Sequence, residues 1–517
     1  MFHNMQTEAA VTTVIEAETT EPNDEFLWHE DQPAKLNYEG LGERLARTGQ
    51  LFRSSEGGLI LYTGAVNPVP ITKGTDLQPV IVDRVNIIVM KEGKIRGNRI
   101  NASHLNAMLK SESFLGNFPT VDRVTDVPLY LEDFSLTVNG LNGENPGDRS
   151  LYFGGESEIA AGLETINAFL DVMFFETNAD RTNAVAAALT VMLHNHWPGG
   201  KQIILATGSK SHSGKDTVIA FAAGLHGLVS ISYDQANWAL ERSFTGAVRN
   251  NTDTKVIVVE NARLNRSDKV IASAFVERFA TDPRPQLFST GTGAPQRIRN
   301  DYVVAISTNF GTVSEDILNR SLPIRLVPTG DTTDRVSPIG NPKLEFLPKN
   351  RHRIAAELRG MIERWKAAGK PLDHDVRHPF SPWAKTVGGI LKVAGFADFL
   401  ANYGRRKTSD DPVRRGLGII GASKPGEWLD IEQWLRQVEQ QGLEKAIIPS
   451  ADLPTEQSRR RGLGITMKYH EGESFVVETD RGLEKFKLEL SRKRDGGEPK
   501  KMYRFVPTSV LVDQASN

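Results

Sequence analysis

Residues 203–224, IILATGSKSHSGKDTVIAFAAG, run from an apolar stretch through a Gly- and Ser-rich segment into Gly214-Lys215 and then a helical pattern. No other segment constrains the chain as strongly. A strand that ends on small residues and re-enters the fold as a helix lets successive backbone N–H groups turn inward. The helix N-terminus adds partial positive charge, so the whole is suited to an anion. The pattern predicts a phosphate cradle built from Gly208, Ser209, Ser213, Gly214, Lys215, Asp216 and Thr217. Lys215 is expected to reach the β- and γ-phosphates, and the Thr217 hydroxyl to hold Mg²⁺. Two departures from the usual G-x-x-x-x-G-K-[ST] spacing stand out. Five residues separate Gly208 from Gly214, so Ser209 takes the place of the first glycine, and Asp216 stands where Ser or Thr is usual. Asp216 brings negative charge next to the phosphates unless it points away.

The flanking sequence alternates strand and helix. Strands are predicted at Gln202–Ala206, Leu228–Ser232, Lys255–Glu260, Tyr302–Ser307 and Leu322–Val327, with helices at Asp216–Gly224, Gln235–Val248, Lys269–Phe279 and Ser314–Asn319 between them. Five strands with crossover helices predict an α/β fold with a parallel sheet covered on both faces. Two strands end on polar residues that suit a site beside the cradle. Val256-Ile-Val-Val-Glu260 puts an acid at a strand end, the Walker B arrangement, where Glu260 would hold the metal's water shell. The next position, usually a second acid, is Asn261, and an amide cannot take a proton from water. Val303-Val-Ala-Ile-Ser-Thr-Asn309 offers Asn309 to position an attacking water. Arg320 follows a short helical segment, where an Arg can reach a neighbouring subunit's γ-phosphate. Taken alone, it is equally a cation at a helix end.

At about 150 residues per domain, 517 residues predict about three domains. The first 34 residues hold eight acids and no Lys or Arg, so residues 1–34 are expected to be an acidic disordered tail and no targeting signal. Residues 35–153 read as a β-rich domain of short apolar runs, with one short helix near Asn101–Lys110. Residues 154–340 hold the cradle, after an amphipathic helix marked by Ile159, Leu163, Ile166, Leu170 and Met173. Residues 341–425 read as helical, and 426–517 as a helix, a basic turn region and a small antiparallel sheet, the outline of a winged helix. Net charge is −2, yet Arg459 to Arg504 carries 13 Lys and Arg against 8 Asp and Glu, which hints at a polyanion. Arg459, Arg460 and Arg461, and Arg492-Lys493-Arg494, are the candidate phosphate contacts there, although such runs are as often solvated turns. Cysteine is absent, which excludes disulfides, thiolate zinc sites and a thiol nucleophile. No apolar run is long enough to span a membrane, so a cytoplasmic protein is expected. His194 with His196, and His374-Asp375 with His378, lack the further ligands a metal site needs.

The order of these elements resembles a known family. The cradle, VIVVEN (256–261), GTGAPQRIRNDYVVAISTN (291–309) and the run from Asp316 to Leu326 are similar to the AAA+ ATPases of phages and mobile elements. These ATPases lie close to superfamily-3 helicases of the primase-helicase type. HPFSPWAKTVGGILKVAGFADFL (378–400) resembles the helical segment that follows the ATPase in that family, and coverage runs over about residues 125–405. The resemblance implies ATP and Mg²⁺ as cofactors, DNA as partner, a homo-oligomeric ring of hexameric form, and a separate primase among the partners. It implies that Lys215, Glu260, Asn309 and Arg320 are catalytic. It also nominates Arg297 and Arg299, before the Asn309 strand, as DNA contacts in the ring channel. Asn261 is then a feature of the family. A DNA-binding initiator or loader that uses ATP as an assembly switch is the alternative. Ser213-Gly-Lys-Asp-Thr217 also looks like the cradle of phage deoxynucleoside monophosphate kinases, which lack the Asn309 and Arg320 elements.

Overall fold

The computed structural model describes residues 25–508, apart from 56, 65–66, 209–211, 235, 252, 261–270, 288–295, 310–312, 329–336, 404–411, 449–454, 480–481 and 496–497. The chain divides into two compact units, 1–157 and 158–517.

In the first unit, strand Glu25–His29 lies parallel to Asn86–Lys91, which pairs in turn with Lys94–Gly97. Phe26 and Trp28 alternate inward along that first strand. The acidic tail expected through residue 34 therefore gives way to sheet at Glu25, where period-two apolar residues outweigh the acids. The unit also holds more helix than its short apolar runs predict. Ala34–Ala46 is a helix that buries Tyr38, Leu41 and Leu45. Its Gly40 and Gly42 thin the apolar stripe that would have announced it. At Gly42 a Cβ would run into the Asn117 amide, so the helix trades legibility for close approach.

The second unit is organised by five strands: β1 (Ile203–Gly208), β2 (Leu228–Ser232), β3 (Val256–Glu260), β4 (Val303–Asn309) and β5 (Ser321–Leu326). They form one sheet in the order β2-β3-β4-β1-β5, and every pairing is parallel. The helices are α1 (Glu164–Asp171), α2 (Asn178–Met192), α3 (Lys215–Ala223), α4 (Asn237–Asn250), α5 (Ala274–Thr281) and α6 (Glu315–Asn319). Strand side chains alternate between two covered faces. Leu205, Ile257 and Ile306 meet Phe244 of α4, Phe275 of α5 and Ile317 of α6. The opposite face is covered by α2 and α3. Every residue of α2 except Asn178 and Arg181 is buried, so it behaves as a core helix with no solvent face.

The amphipathic run expected from Ile159 is helical only over Glu164–Asp171. Its start is set from far along the chain. The buried Glu357 carboxylate accepts from Thr165 N at 2.9 Å and Ile166 N at 2.8 Å, satisfying two N–H groups that a helix start leaves open. Glu357 lies on α7 (Leu347–Ala367), which packs with α8 (Ser381–Val393). Trp383, Val387 and Leu391 give α8 a buried apolar face.

The C-terminal part holds α9 (Pro412–Ser423), β6 (Leu429–Asp430), α10 (Ile431–Gln440) and α11 (Glu456–Tyr469), followed by β7 (Ser474–Thr479), β8 (Gly482–Asp495) and β9 (Glu498–Thr508). The sheet order is β6-β9-β8-β7, all antiparallel. Leu417, Trp434, Met467, Phe475 and Phe505 share its core. Residues 459–461, expected in a basic turn, lie in the first turns of α11, whose N-terminus Thr455 caps by accepting from Ser458 N. Leu463 and Met467, buried four residues apart, hold that helix to the core. No helix among the described residues is long and apolar enough to cross a membrane.

Glu357→Ala strips the acceptor from two helix-start N–H groups. Each stranded donor costs about 1–3 kcal/mol, so the variant should lose roughly 2–6 kcal/mol in urea unfolding. An unchanged midpoint would mean that water replaces the carboxylate at no cost.

Candidate functional site

In an open parallel sheet, ligands sit outside the carboxyl ends of the strands. At that edge β1 ends on Gly208, whose Cα partners are Asn309 of β4 and Leu326 of β5. Glu260 ends β3 opposite Ser232 of β2. The chain then enters α3 through a tight turn. His212 and Gly214 both have positive φ, 60° and 95°. Gly214 is the N-cap, and a Cβ there would meet Met173 Cε at 2.8 Å. The turn thus demands glycine both for its backbone and for space. Ser209 lies outside the described residues, as does Asn261.

Lys215 opens α3 and is buried at 8% exposure, unusual for an ammonium. Its Nζ lies 3.8 Å from Asp216 Oδ2. Asp216 does not point away: its other oxygen, Oδ1, accepts from Ser307 Oγ at 2.6 Å. The carboxylate is therefore held between the α3 ammonium and the end of β4. Ser213 is buried and its Oγ has no hydrogen-bond partner among the described residues; the same holds for Thr207 Oγ1. Buried hydroxyls are normally paired, so two orphaned ones beside a half-buried helix start are unusual. Glu260 Oε1 accepts from Ser230 Oγ at 2.5 Å. Among the described residues no three His, Asp or Glu side chains gather as a metal cage. A Mg²⁺ that rests on phosphate and water needs none, and Thr217 with Glu260 fits that manner of binding. The orphaned hydroxyls, the buried ammonium and the N-terminus of α3 fit a phosphate.

The sheet edge thus brings together Gly208, Ser213, Gly214, Lys215, Asp216 and Thr217 with Glu260 and the backbone of Asn309. Sequence reasoning assigned no role to Ser307 and Ser230. Ser307 shares a strand face with Val303 and Ala305, the face that α3 covers, and that alternation is the signal that points to it.

The other named residues lie elsewhere. Arg320 caps the end of α6 immediately before β5, and its carbonyl accepts from Ile203 N, the first residue of β1, at 2.8 Å. That is the amino end of the sheet. Six-residue β5 separates it from the cradle by about 16 Å. Its guanidinium stays local, donating to Asp316 O at 2.9 Å and Asp316 Oδ1 at 3.3 Å. Arg297 is exposed on a two-stranded hairpin, Gln286–Leu287 with Gln296–Arg297. Arg299 is engaged inside the fold: Nε donates to Asp301 at 2.9 Å and Nη2 to Asn195 O at 2.7 Å. It ties the loop before β4 to the chain that follows α2. Beside it the buried Lys201 Nζ donates to Asn300 O at 2.6 Å and Trp197 O at 3.2 Å. Burial pushes its ammonium down to about 7, with Asp301 opposing the shift and Arg299 adding to it. On α11, Arg460 donates to Glu456 at 2.5 Å and meets Glu432 at 3.2 Å, and Arg459 meets Glu439 at 3.4 Å. Arg461 is exposed and has no ion pair among the described residues.

No protein-family model matches the chain, and no curated protein matches it by sequence. Solved structures do resemble it. The A form apo structure of the NrS-1 C terminal region is 12% identical over 88% of this chain and 95% of that one, with a TM-score of 0.39. A second apo structure of that region, residues 305–718 of its own chain, is 12% identical over 90% of this chain and 99% of that one, with a TM-score of 0.40. The SCCmec type IV Cch active helicase is 11% identical over 87% of this chain and 90% of that one, with a TM-score of 0.34.

Lys201 yields a test in pH. Unfolded, a lysine keeps its proton to about 10.5; folded, this one loses it at about 7. Between those values the unfolded chain binds more protons, so stability rises with pH. The stability of the wild type relative to Lys201→Met should therefore improve from pH 7 to pH 9, and stay flat below pH 6. A gap that does not move with pH would show that Lys201 keeps an ordinary proton affinity.

Proposed function

We propose that residues 158–508 form a P-loop ATPase of the AAA+ type, similar to the superfamily-3-helicase-like enzymes of phages and mobile elements, that couples ATP turnover to movement on DNA. One observation carries the reading. The buried Lys215, the orphaned Ser213 hydroxyl, Glu260 and the end of the Asn309 strand converge at the carboxyl edge of a parallel sheet, at the N-terminus of α3.

In this reading the N–H groups of Gly214 and of the first turn of α3 bind the β- and γ-phosphates, and Lys215 neutralises them. Mg²⁺ supplies further charge neutralisation of the phosphates when bound. Thr217 and Glu260 orient it, with Ser230 holding the Glu260 carboxylate by its hydrogen bond. Ser307 holds Asp216 beside Lys215, so the ammonium faces phosphate with its charge partly compensated. Asn309 orients the attacking water. Arg320 stands about 16 Å from its own cradle, at the far end of β5, so its target is the γ-phosphate held by another copy. Rings of identical subunits, hexamers by resemblance, follow from a site shared in that way.

The C-terminal helices and sheet serve as a winged helix for DNA. The α9, β6, α10, α11, then β7 to β9 order supports this. In the β8–β9 register Arg492 is the partner of Lys501 and Lys493 the partner of Lys500, so four basic positions share one stretch of the ribbon. With Arg459 and Arg460 held by acids, Arg461 of α11 and the exposed Lys500 and Lys501 are the better phosphate contacts. Asn261, in place of a second acid, favours a second reading: an initiator or loader in which ATP drives assembly and turnover is slow.

Lys215→Ala should abolish ATP binding, read with a fluorescent analogue, while circular dichroism stays unchanged; retained affinity in a folded variant would overturn the cradle. Single-stranded DNA should raise the ATPase rate of the wild type several-fold, and ATP-dependent DNA binding with negligible turnover would favour the switch.

Mixing Arg320→Ala with Lys215→Ala subunits should recover turnover that neither has alone, because some sites then pair an intact cradle with an intact Arg. Full activity of Arg320→Ala, or an active monomer in sedimentation, would overturn the shared site.

A further inference from the structure

Arg320 is flanked by an unusual set of backbone contacts. Three successive carbonyls around it are all engaged, each by a different part of the second unit. Asn319 O accepts from Tyr403 Oη at 2.7 Å, Arg320 O from Ile203 N at 2.8 Å, and Ser321 O from His378 Nε2 at 3.4 Å. The His378 tautomer follows from its other nitrogen. Nδ1 accepts from Phe380 N at 3.2 Å, so the proton sits on Nε2 and is directed at Ser321. Burial holds His378 down to about 4, so the ring is neutral at neutral pH and keeps one donor.

The two side chains are themselves fixed. The His378 and Tyr403 rings lie 4.9 Å apart, and Trp383 stands 5.1 Å from His378. Trp383 Nε1 donates to Thr190 Oγ1 of α2 at 2.8 Å. The segment after α6 is thus gripped from the sheet on one side and from the region around α8 on the other. The grip holds the backbone of Arg320 and, among the described residues, leaves its guanidinium with only Asp316, an exposed pair worth about 0–1 kcal/mol.

We propose that Tyr403, supported by His378, is a positioning residue for Arg320: it holds the 319–321 backbone so that the guanidinium is presented to the neighbouring subunit's nucleotide. The proposal rests on the shared-site reading of Arg320. A charged group must lie within a fraction of an ångström of its working position, and a 1 Å error costs up to about 10²-fold in rate. Removing one of three carbonyl contacts should cost less than losing the Arg.

Tyr403→Phe keeps the ring and deletes only the hydroxyl. In full-length protein its melting temperature should stay close to wild type and its affinity for a fluorescent ATP analogue should be unchanged, while kcat of the assembled protein with single-stranded DNA falls about tenfold. The side on which it acts is read by mixing. Tyr403→Phe subunits with Lys215→Ala subunits should recover turnover, because the latter lend an intact Arg320 to an intact cradle. Tyr403→Phe with Arg320→Ala should not, since both lack a well-placed Arg. Wild-type kcat in Tyr403→Phe while Arg320→Ala is dead would overturn the positioning role alone. Recovery with Arg320→Ala but not with Lys215→Ala would also overturn it, by placing Tyr403 on the cradle's side. Full activity of Arg320→Ala would instead remove the shared site itself.

Discussion

The second unit depends on a carboxylate that meets no water. Asp180, in the first turn of α2, is fully buried. Its Oδ1 accepts from Arg325 N at 2.7 Å and from Asn402 Nδ2 at 2.8 Å; its Oδ2 accepts from Thr177 N at 3.1 Å and Thr177 Oγ1 at 2.6 Å. Four donors offset the cost of taking the group out of water, and the α2 N-terminus adds to them. One side chain thereby joins the core helix, the carboxyl end of β5 and the chain after α8. Asn183, one turn on, repeats the pattern: it donates to Pro323 O and Asn402 Oδ1 and accepts from Leu400 N. A half-satisfied network of this kind would be worse than an apolar core, so its members stand or fall together.

The consequence is a strand held along its whole length. β5 is anchored at Arg325 by Asp180, at Pro323 by Asn183 and at Ser321 by His378, and Tyr403 holds Asn319 at the end of α6 just before it. Its inner edge is zipped to β1 from Ile203 to Gly208. Its two ends carry opposite functions in the proposed reading. The carboxyl end borders the cradle through Gly208 and Leu326; the amino end carries Arg320. In that reading a single strand, held along its length, joins the cradle edge to Arg320.

Much of this organisation is legible in the sequence, for a physical reason. A strand buried on both faces is apolar over most of its length, so β1, β3 and β4 each open as an unbroken apolar run. The polar residues that end them then stand out, and Lys215, Glu260 and Asn309 could be named from that contrast. Glu357 could not, since the groups it satisfies lie up to 192 residues away. Asp180 could be read only as the local capping partner of Thr177, because its contact with Arg325 N spans 145 residues. Helix α11 was hidden by Arg459-Arg460-Arg461 and by Gly462 and Gly464, which read as turn, while its few core contacts carry it. Arg299 was read as facing a ligand, yet its guanidinium has partners inside the fold. The orientation of Asp216, left open by the sequence, is set by Ser307 of β4, which nothing local announces.

Placement relative to the sheet is the part that sequence order conceals. Arg320 lies only five residues before Arg325, yet the two occupy opposite ends of a parallel sheet, one beside Ile203 and the other beside Thr207. In the parallel sheet every strand runs the same way, so the end on which a residue falls depends only on whether it precedes or follows its strand. Cradle, Glu260 and Asn309 all follow their strands; Arg320 precedes its own. In the proposed reading, that single distinction separates groups that meet one nucleotide within a chain from a group that meets it across a boundary between copies. The grip of Tyr403 and His378 falls on the second kind, at the end of the sheet that faces away from the chain's own cradle.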